Sequence, residues 1–218
     1  MRAATPRALG ALLLYPTAEL RDALPEIRSI LEDEPDLPRE RSEALARLLD
    51  AFAARDLLDL EEDYTGLFDR GSSLSLHLFE HVYGDGKERG QAMVELIGLY
   101  RRNGLTLVER ELPDHVAVIC EFLSVAPAQA AAEMLDGVSG ILALLARRLS
   151  QRESHYAEVF LALCELVDGT PVEPEAPETA DPAEDDEQER MELDRAWEDA
   201  PITFGAQDDA TLHRGRSR

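Results

Sequence analysis

At 218 residues, with 44% hydrophobic but only 6% aromatic side chains, the chain holds enough Ala and Leu to fill one helical core and is too apolar to be disordered throughout. Its formal charge of -23 is uneven, because residues 168 to 200 carry 14 Asp and Glu against two Arg, a net of -12. With a single lysine, Lys87, and no cluster of arginines to neutralise phosphates, the chain is not built for nucleic acid.

Arg2 and Arg7 precede an apolar run from Ala8 to Tyr15 that is short, contains Gly10 and ends at Pro16. It reads as a first helix rather than a signal peptide. Thr17 can cap a second helix from about Ala18 to Asp33, in which Pro25 should cause a kink or a split into two short helices. Between Pro38 and Ala54, Leu45, Leu48, Leu49 and Phe52 recur at the spacing of one helical face. From Asp56 to Asp69 the stripe is Leu57, Leu60, Tyr64 and Leu67, with the acidic run Glu61-Glu62-Asp63 facing elsewhere.

Residues 75 to 83 read as a short helix closed by Gly84-Asp85-Gly86. A longer one follows from Lys87 to Asn103, with Met93, Leu96, Ile97 and Tyr100 aligned before Gly104 stops it. Pro113 is expected to open the next helix, where a missing N–H costs nothing, and its stripe is Val116, Ile119, Cys120 and Leu123. Pro127 to Ser150 reads as one or two helices broken around Gly137 and Gly140. Glu153 to Asp168 closes the body with Tyr156, Val159, Phe160, Leu163, Cys164 and Val167 aligned. The fold class is therefore all-α, a single-domain bundle of about eight to ten helices over residues 1–168. An acidic, Pro-rich disordered linker (169–196) and a C-terminal tail (197–218) follow. No run reaches the eighteen or so consecutive apolar residues of a membrane span, so a soluble, cytoplasmic protein without membrane insertion is expected. Cys120 and Cys164, 44 residues apart with no CxxC spacing, read as buried reduced thiols.

His77-Leu78-Phe79-Glu80-His81 fits H-x-x-E-H, a zinc-hydrolase pattern in which two histidines one turn apart share a metal. Hydrolysis needs a third ligand and an open coordination position; Glu111 could be imagined there, but the chain offers no supporting signature. The plainer reading makes His77 and His81 polar groups lining a surface or partner site. Gly84-Asp85-Gly86 with Gly90 approximates a dinucleotide fingerprint, but its third glycine is one residue late and no strand precedes it. No Walker loop or nucleophile elbow occurs, so no cofactor is expected. Asp114, read in the first turn of its helix, would favour the positive end of the helix dipole. Glu121 would then lie seven residues on, about 20° from alignment and roughly 10 Å along the axis. Such an acidic stripe beside apolar side chains suits a basic amphipathic peptide as well as it suits simple solvation.

Three segments carry a resemblance: Ser75-Leu76-His77-Leu78-Phe79-Glu80-His81-Val82-Tyr83-Gly84, Arg89-Gly90-Gln91-Ala92-Met93-Val94, and Arg110-Glu111-Leu112-Pro113-Asp114-His115. Together with Leu14-Tyr15-Pro16, Phe68-Asp69-Arg70, Trp197-Glu198 and Pro201-Ile202-Thr203-Phe204-Gly205, they resemble the NarJ family of nitrate reductase molybdenum-cofactor assembly chaperones, within the wider TorD-like and DmsD-like group. The resemblance covers nearly the whole chain except the acidic linker. It implies a TorD-like helical domain, not an enzyme, that binds the N-terminal region of the catalytic (alpha) subunit of a membrane-bound nitrate reductase. It further implies support for insertion of molybdenum cofactor and an iron–sulfur centre, and contact with molybdenum-cofactor biosynthesis proteins. The competing readings are a zinc hydrolase built on His77, Glu80 and His81 and a permanent subunit of the reductase. Carried over from the family, the peptide-binding residues would be Tyr64, Phe68, Asp69, His77, Phe79, Glu80, His81, Asp114, His115 and Glu121. The segment around Trp197, Ile202 and Phe204 reads either as the end of a solvated tether or as a linear motif that docks on the body or on the client.

Overall fold

A computed structural model of the protein describes residues 2–84, 86–107 and 111–168. Among them the order is α1 (Ala4–Ala11), α2 (Ala18–Glu32), α3 (Arg39–Ala54), α4 (Leu57–Phe68), a 3-10 turn (Ser72–Leu74), α5 (Glu80–Tyr83), α6 (Lys87–Arg102), α7 (Val116–Val125), α8 (Ala128–Gln151) and α9 (Ala157–Asp168). No strand of more than a single bridge occurs among the described residues. The all-α class is thus observed. The linker, the tail, Asp85, Arg110 and the Val167 side chain lie outside the described residues.

The core follows the helical stripes. Leu45, Leu48 and Leu49 of α3, Ile119 and Phe122 of α7, and Val159, Phe160 and Leu163 of α9 are all buried. α8 packs on α9, α1 on α7, α2 on α3, and α3 on α9. Gly10 permits the α1–α7 approach, since a Cβ there would stand 2.6 Å from the Cys120 Cβ. Cys120 and Cys164 are buried and free, and burial pushes the Cys120 thiol up to about 12. Buried polar groups tie helices together: Arg41 of α3 binds Glu165 and Glu158 of α9, and Glu34, just after α2, accepts from the Thr5 hydroxyl of α1 and the Arg2 amide.

Several local expectations are corrected. The first helix begins four residues early and ends at Ala11. α2 is continuous through Pro25, with Thr17 capping it through the Leu20 amide at 3.2 Å. Pro25 is exposed, so the hydrogen bond its ring removes lies on the side where water can replace it. In α4 the buried stripe is Leu60, Tyr64 and Phe68, while Leu57 and Leu67 are only half-buried. α8 runs unbroken past Gly137 and Gly140, because its apolar face, including Met134, Val138, Ile141 and Leu145, is continuous against the core. That packing outweighs the roughly 1 kcal/mol each glycine costs in a helix. α8 also has the length and mean hydropathy, 1.3, of a membrane-crossing helix. It is nevertheless a core helix here, and its buried Arg148 donates to the Ser73 carbonyl at 2.7 Å.

Candidate functional site

The segment containing H-x-x-E-H is not one helix. Residues 76–78 run extended and pair antiparallel with 114–116: the Leu78 amide donates to the Asp114 carbonyl and the Val116 amide to the Leu76 carbonyl, both at 2.9 Å. Only at Glu80 does α5 begin. His77 and His81 therefore do not share a helical face. The His81 Nε2 meets the Ser75 carbonyl at 2.8 Å, whereas His77 Nδ1 stands 3.4 Å from Asp114 Oδ1, within ion-pair range but without good hydrogen-bond alignment. The Ser75 hydroxyl donates to Glu80 at 2.7 Å, tying the segment to the first turn of α5.

Asp114 is fully buried and precedes its helix, which starts at Val116 with His115 as the cap, so neither Pro113 nor Asp114 sits in the first turn. The bridge occupies the backbone of residues 114–116 and delays the helix. The Asp114 carboxylate accepts from Arg89 of α6 at 3.1 and 3.2 Å. Burial alone would raise its pKa, but His77 and Arg89 together hold it below the ordinary carboxylate value. His115 Nδ1 accepts from the Ala117 amide at 3.2 Å, which puts the ring proton on Nε2. Burial, and then the neighbouring His77 ring at 5.2 Å, push His115 down to about 4 against the pull of Asp114. This clasp joins the segments on either side of α6. Among the described residues no three His, Cys, Asp or Glu side chains are grouped to hold a metal ion.

The ten sequence-predicted residues divide among three places. His77, Phe79, Glu80, His81, Asp114 and His115 belong to the clasp, where Phe79 is fully buried and only His77 and Glu80 are half-buried. Tyr64 and Phe68 belong to an aromatic row: Tyr15, Tyr64, Tyr156 and Phe52 meet in succession at 5.6, 6.3 and 5.4 Å, and Phe68 lies 5.0 Å from both Tyr64 and Tyr156. The Tyr64 hydroxyl donates to the Leu13 carbonyl at 3.0 Å, and exposed Asp69 caps the end of α4. Glu121 stands apart on α7, paired with Arg7 of α1 at 3.0 Å. Because Asp114 is off the helix and buried, Asp114 and Glu121 do not form the expected acidic stripe.

A greasy, negatively charged surface exists elsewhere, in a groove of about 930 Å³ between α1, α2 and the end of α7. Its walls are Ala4, Ala8 and Ala11 of α1, Leu20, Ala23, Ile27 and Ile30 of α2, and Val125 of α7. Leu14, Tyr15 and Val125 are 40%, 47% and 52% exposed, high values for side chains of their kind gathered in one place. Among the described residues, Glu19, Glu26 and Glu111 line the groove together with Arg7, which is already held by Glu121. This surface is lined by none of the ten sequence-predicted residues; Glu121 and Tyr64 reach it only through Arg7 and Tyr15. Its signal was the width of the apolar arc on α2, where Leu24, Ile27 and Leu31 fill the core and Leu20, Ala23 and Ile30 remain for a second contact.

The sequence profile described as nitrate reductase delta subunit matches residues 34–162, most of the helical body. Over 200 residues the chain is 41% identical to the nitrate reductase molybdenum cofactor assembly chaperone NarJ of Escherichia coli strain K12, covering 91% of this chain and 84% of that protein. It is 38% identical over 209 residues to NarW of the same strain, covering 94% and 85%, a protein described as a probable chaperone of the same kind. A counterpart from Bacillus subtilis strain 168, described in the same way, is 30% identical over 162 residues, covering 74% and 87%. By profile and by identity, the chain belongs to the nitrate reductase delta subunit family.

Proposed function

We propose that the chain is a nitrate reductase molybdenum cofactor assembly chaperone, the activity by which its relatives are named. In this reading it works in the cytoplasm on the apo catalytic subunit, gripping its N-terminal region while molybdenum cofactor and an iron–sulfur centre are inserted, and then releases it for membrane assembly. Handing over the cofactor would bring it into contact with proteins that make molybdenum cofactor. It performs no covalent step itself.

The observation that carries the proposal is the groove between α1, α2 and α7, because its apolar walls and acidic edge match one kind of ligand. An amphipathic client segment would place its apolar face against Leu20, Ile30 and Val125 and its Arg or Lys side chains near Glu19, Glu26 and Glu111. Ordering a flexible segment costs about 2 to 5 kcal/mol of the gross interaction, so the grip is moderate and reversible once the client fold closes. The aromatic row supports the groove's edge, since Tyr64 holds the backbone at Leu13 and meets the Tyr15 ring, and the clasp fixes the start of α7, whose far end lines the groove. Thus Tyr64 and Phe68 are proposed to act by positioning, Glu121 by orienting Arg7 at the groove edge, and the clasp residues by holding α7 in place.

The test is titration of the full-length chain with a synthetic peptide of the catalytic subunit's N-terminal region, alongside Val125→Asp. Peptide binding that falls at least tenfold in the variant, with unchanged thermal unfolding, is expected. No binding to the wild type, or equal binding to the variant, would discard the groove. Capture of the apo catalytic subunit from cells lacking molybdenum cofactor tests the client itself. Tightly bound stoichiometric zinc would favour the hydrolase instead, and retention in the mature active enzyme would favour a permanent subunit.

A further inference from the structure

A second cleft, of about 530 Å³, lies between the C-terminal half of α4 and the turn joining α8 to α9. Phe52 and Tyr156, the last members of the aromatic row, line it. Tyr156 is 5% exposed, yet its hydroxyl has no hydrogen-bond partner among the described residues. A buried hydroxyl left in that state is destabilising unless something supplies a partner. Arg55, Arg70 and Arg152 line the same cleft, balancing Glu62, Asp63 and Glu153. Arg55 is engaged by Asp63 and Arg152 donates to the Arg148 carbonyl at 3.0 Å, while both Arg70 and Arg152 keep exposed surface.

We infer that this cleft is the docking site for the chain's own C-terminal segment, residues 197–204, with the side chains of Trp197, Ile202 and Phe204 against the half-buried Ala51 and Leu67 and the exposed rims of Phe52 and Tyr156, and the acids Glu198 and Asp199 against Arg70 and Arg152. The segment is chemically matched to it, because it puts three large apolar side chains and two acids within eight residues. Charge selects this cleft over the groove. Among the described residues the groove opposes Glu19, Glu26 and Glu111 to Arg7, which Glu121 already holds, whereas the cleft balances its charges and offers guanidinium groups to an acidic segment.

Geometry permits the return. α9 has 12 residues, so its end at Asp168 lies about 18 Å from its start beside Tyr156. The intervening residues 169–196 would have a root-mean-square span of about 30 Å as a coil, so the segment reaches the cleft without stretching. A tether of that length holds its motif at an effective concentration on the order of millimolar, and modest intrinsic affinity therefore suffices. Docking there leaves the groove open and sets the tail against a row of rings whose far end, Tyr15, borders that groove.

Trp197 is the only tryptophan in the chain, so its fluorescence reads the docking directly in the full-length protein. Compared with a free peptide of residues 190–210, the intact chain should show blue-shifted emission and several-fold weaker quenching by acrylamide, independent of protein concentration. Arg70→Glu/Arg152→Glu should return both properties to the free-peptide values with unchanged circular dichroism. Glu198→Arg/Asp199→Arg alone should do the same without touching the body, and combining the two pairs should restore the shielding. Emission in the wild type equal to the free peptide would overturn the inference. So would shielding that survives both charge reversals, shielding that disappears on dilution, or shielding removed by Val125→Asp, which would put the segment in the groove.

Discussion

The clasp around Asp114 and the groove between α1, α2 and α7 use opposite chemistry. In the clasp, uncommon residues at distinctive spacing are buried and spent on one another: Asp114 takes up Arg89 and faces His77, and His115 caps α7. In the groove, ordinary side chains such as Leu14, Leu20, Ile30 and Val125 remain at least partly accessible, and three exposed glutamates stand nearby. The contrast teaches that the most recognisable motif of this chain holds the frame, and that the surface suited to a partner is written in less conspicuous residues. It can be broken by experiment, since substitutions in the clasp should change stability and substitutions in the groove should change binding alone.

The largest effect is expected for Asp114→Ala. It leaves Arg89, whose side chain is 13% exposed, without its carboxylate and removes the group facing His77. Breaking one partner of a buried pair costs about 3 to 5 kcal/mol, a large share of the stability of a domain this size. Urea unfolding followed by circular dichroism checks it. A midpoint within error of wild type would show that the clasp is incidental to the fold.

Acid should reach the same region next. His115 titrates at the ordinary 6.5 when unfolded and at about 4 when folded, so between those values the unfolded chain binds a proton that the folded chain refuses. Stability is therefore lost as pH falls from 6.5 to 4, by at most about 3 kcal/mol, and this contribution is flat below. The depressed carboxyl of Asp114 acts in a lower window, its stabilisation being lost from the ordinary 3.8 downward through its folded value. Comparing urea midpoints of wild type and His115→Gln across pH 7 to 4 isolates the first window, because the variant should lose that slope. Equal slopes would contradict the buried neutral imidazole.

Helices were legible wherever a stripe acted alone, as with Leu45, Leu48, Leu49 and Phe52, or Val116, Ile119, Cys120 and Leu123. What misled was chemistry that depends on residues far away in sequence. Pro25, Gly137 and Gly140 are local signals for a break, and packing overrode them. Residues 75 to 79 were read as helical because the pairing of Leu76 and Leu78 with residues 114–116 spans 38 positions and leaves no local mark. The same pairing explains why the predicted residues were only partly brought together: the bridge turns Asp114 inward, away from Glu121. The family resemblance names Tyr64, whose ring meets Tyr15 at the edge of the groove, but carries no information on how wide the apolar arc of α2 is.

The smallest expected effect bears on how much of the groove's selectivity is charge. Replacing Glu19, Glu26 and Glu111 by Gln keeps size while removing three negative charges, and all three residues are exposed, so the fold should register little beyond a weakened start of α2, where the Glu19 carboxylate bonds its own amide and the Thr17 side chain. Exposed charges act weakly through water and are screened beyond about 8 Å at physiological ionic strength. Binding of a basic client peptide should therefore weaken only several-fold at low salt, and hardly at all at high salt. The decisive reading is the slope: wild-type affinity should fall with added salt, and that of the triple variant should fall much less. If both slopes are equal, the glutamates are merely solvated and the apolar walls alone hold the client. If the slope disappears together with all binding, charge outweighs the walls and the groove works as an acidic trap.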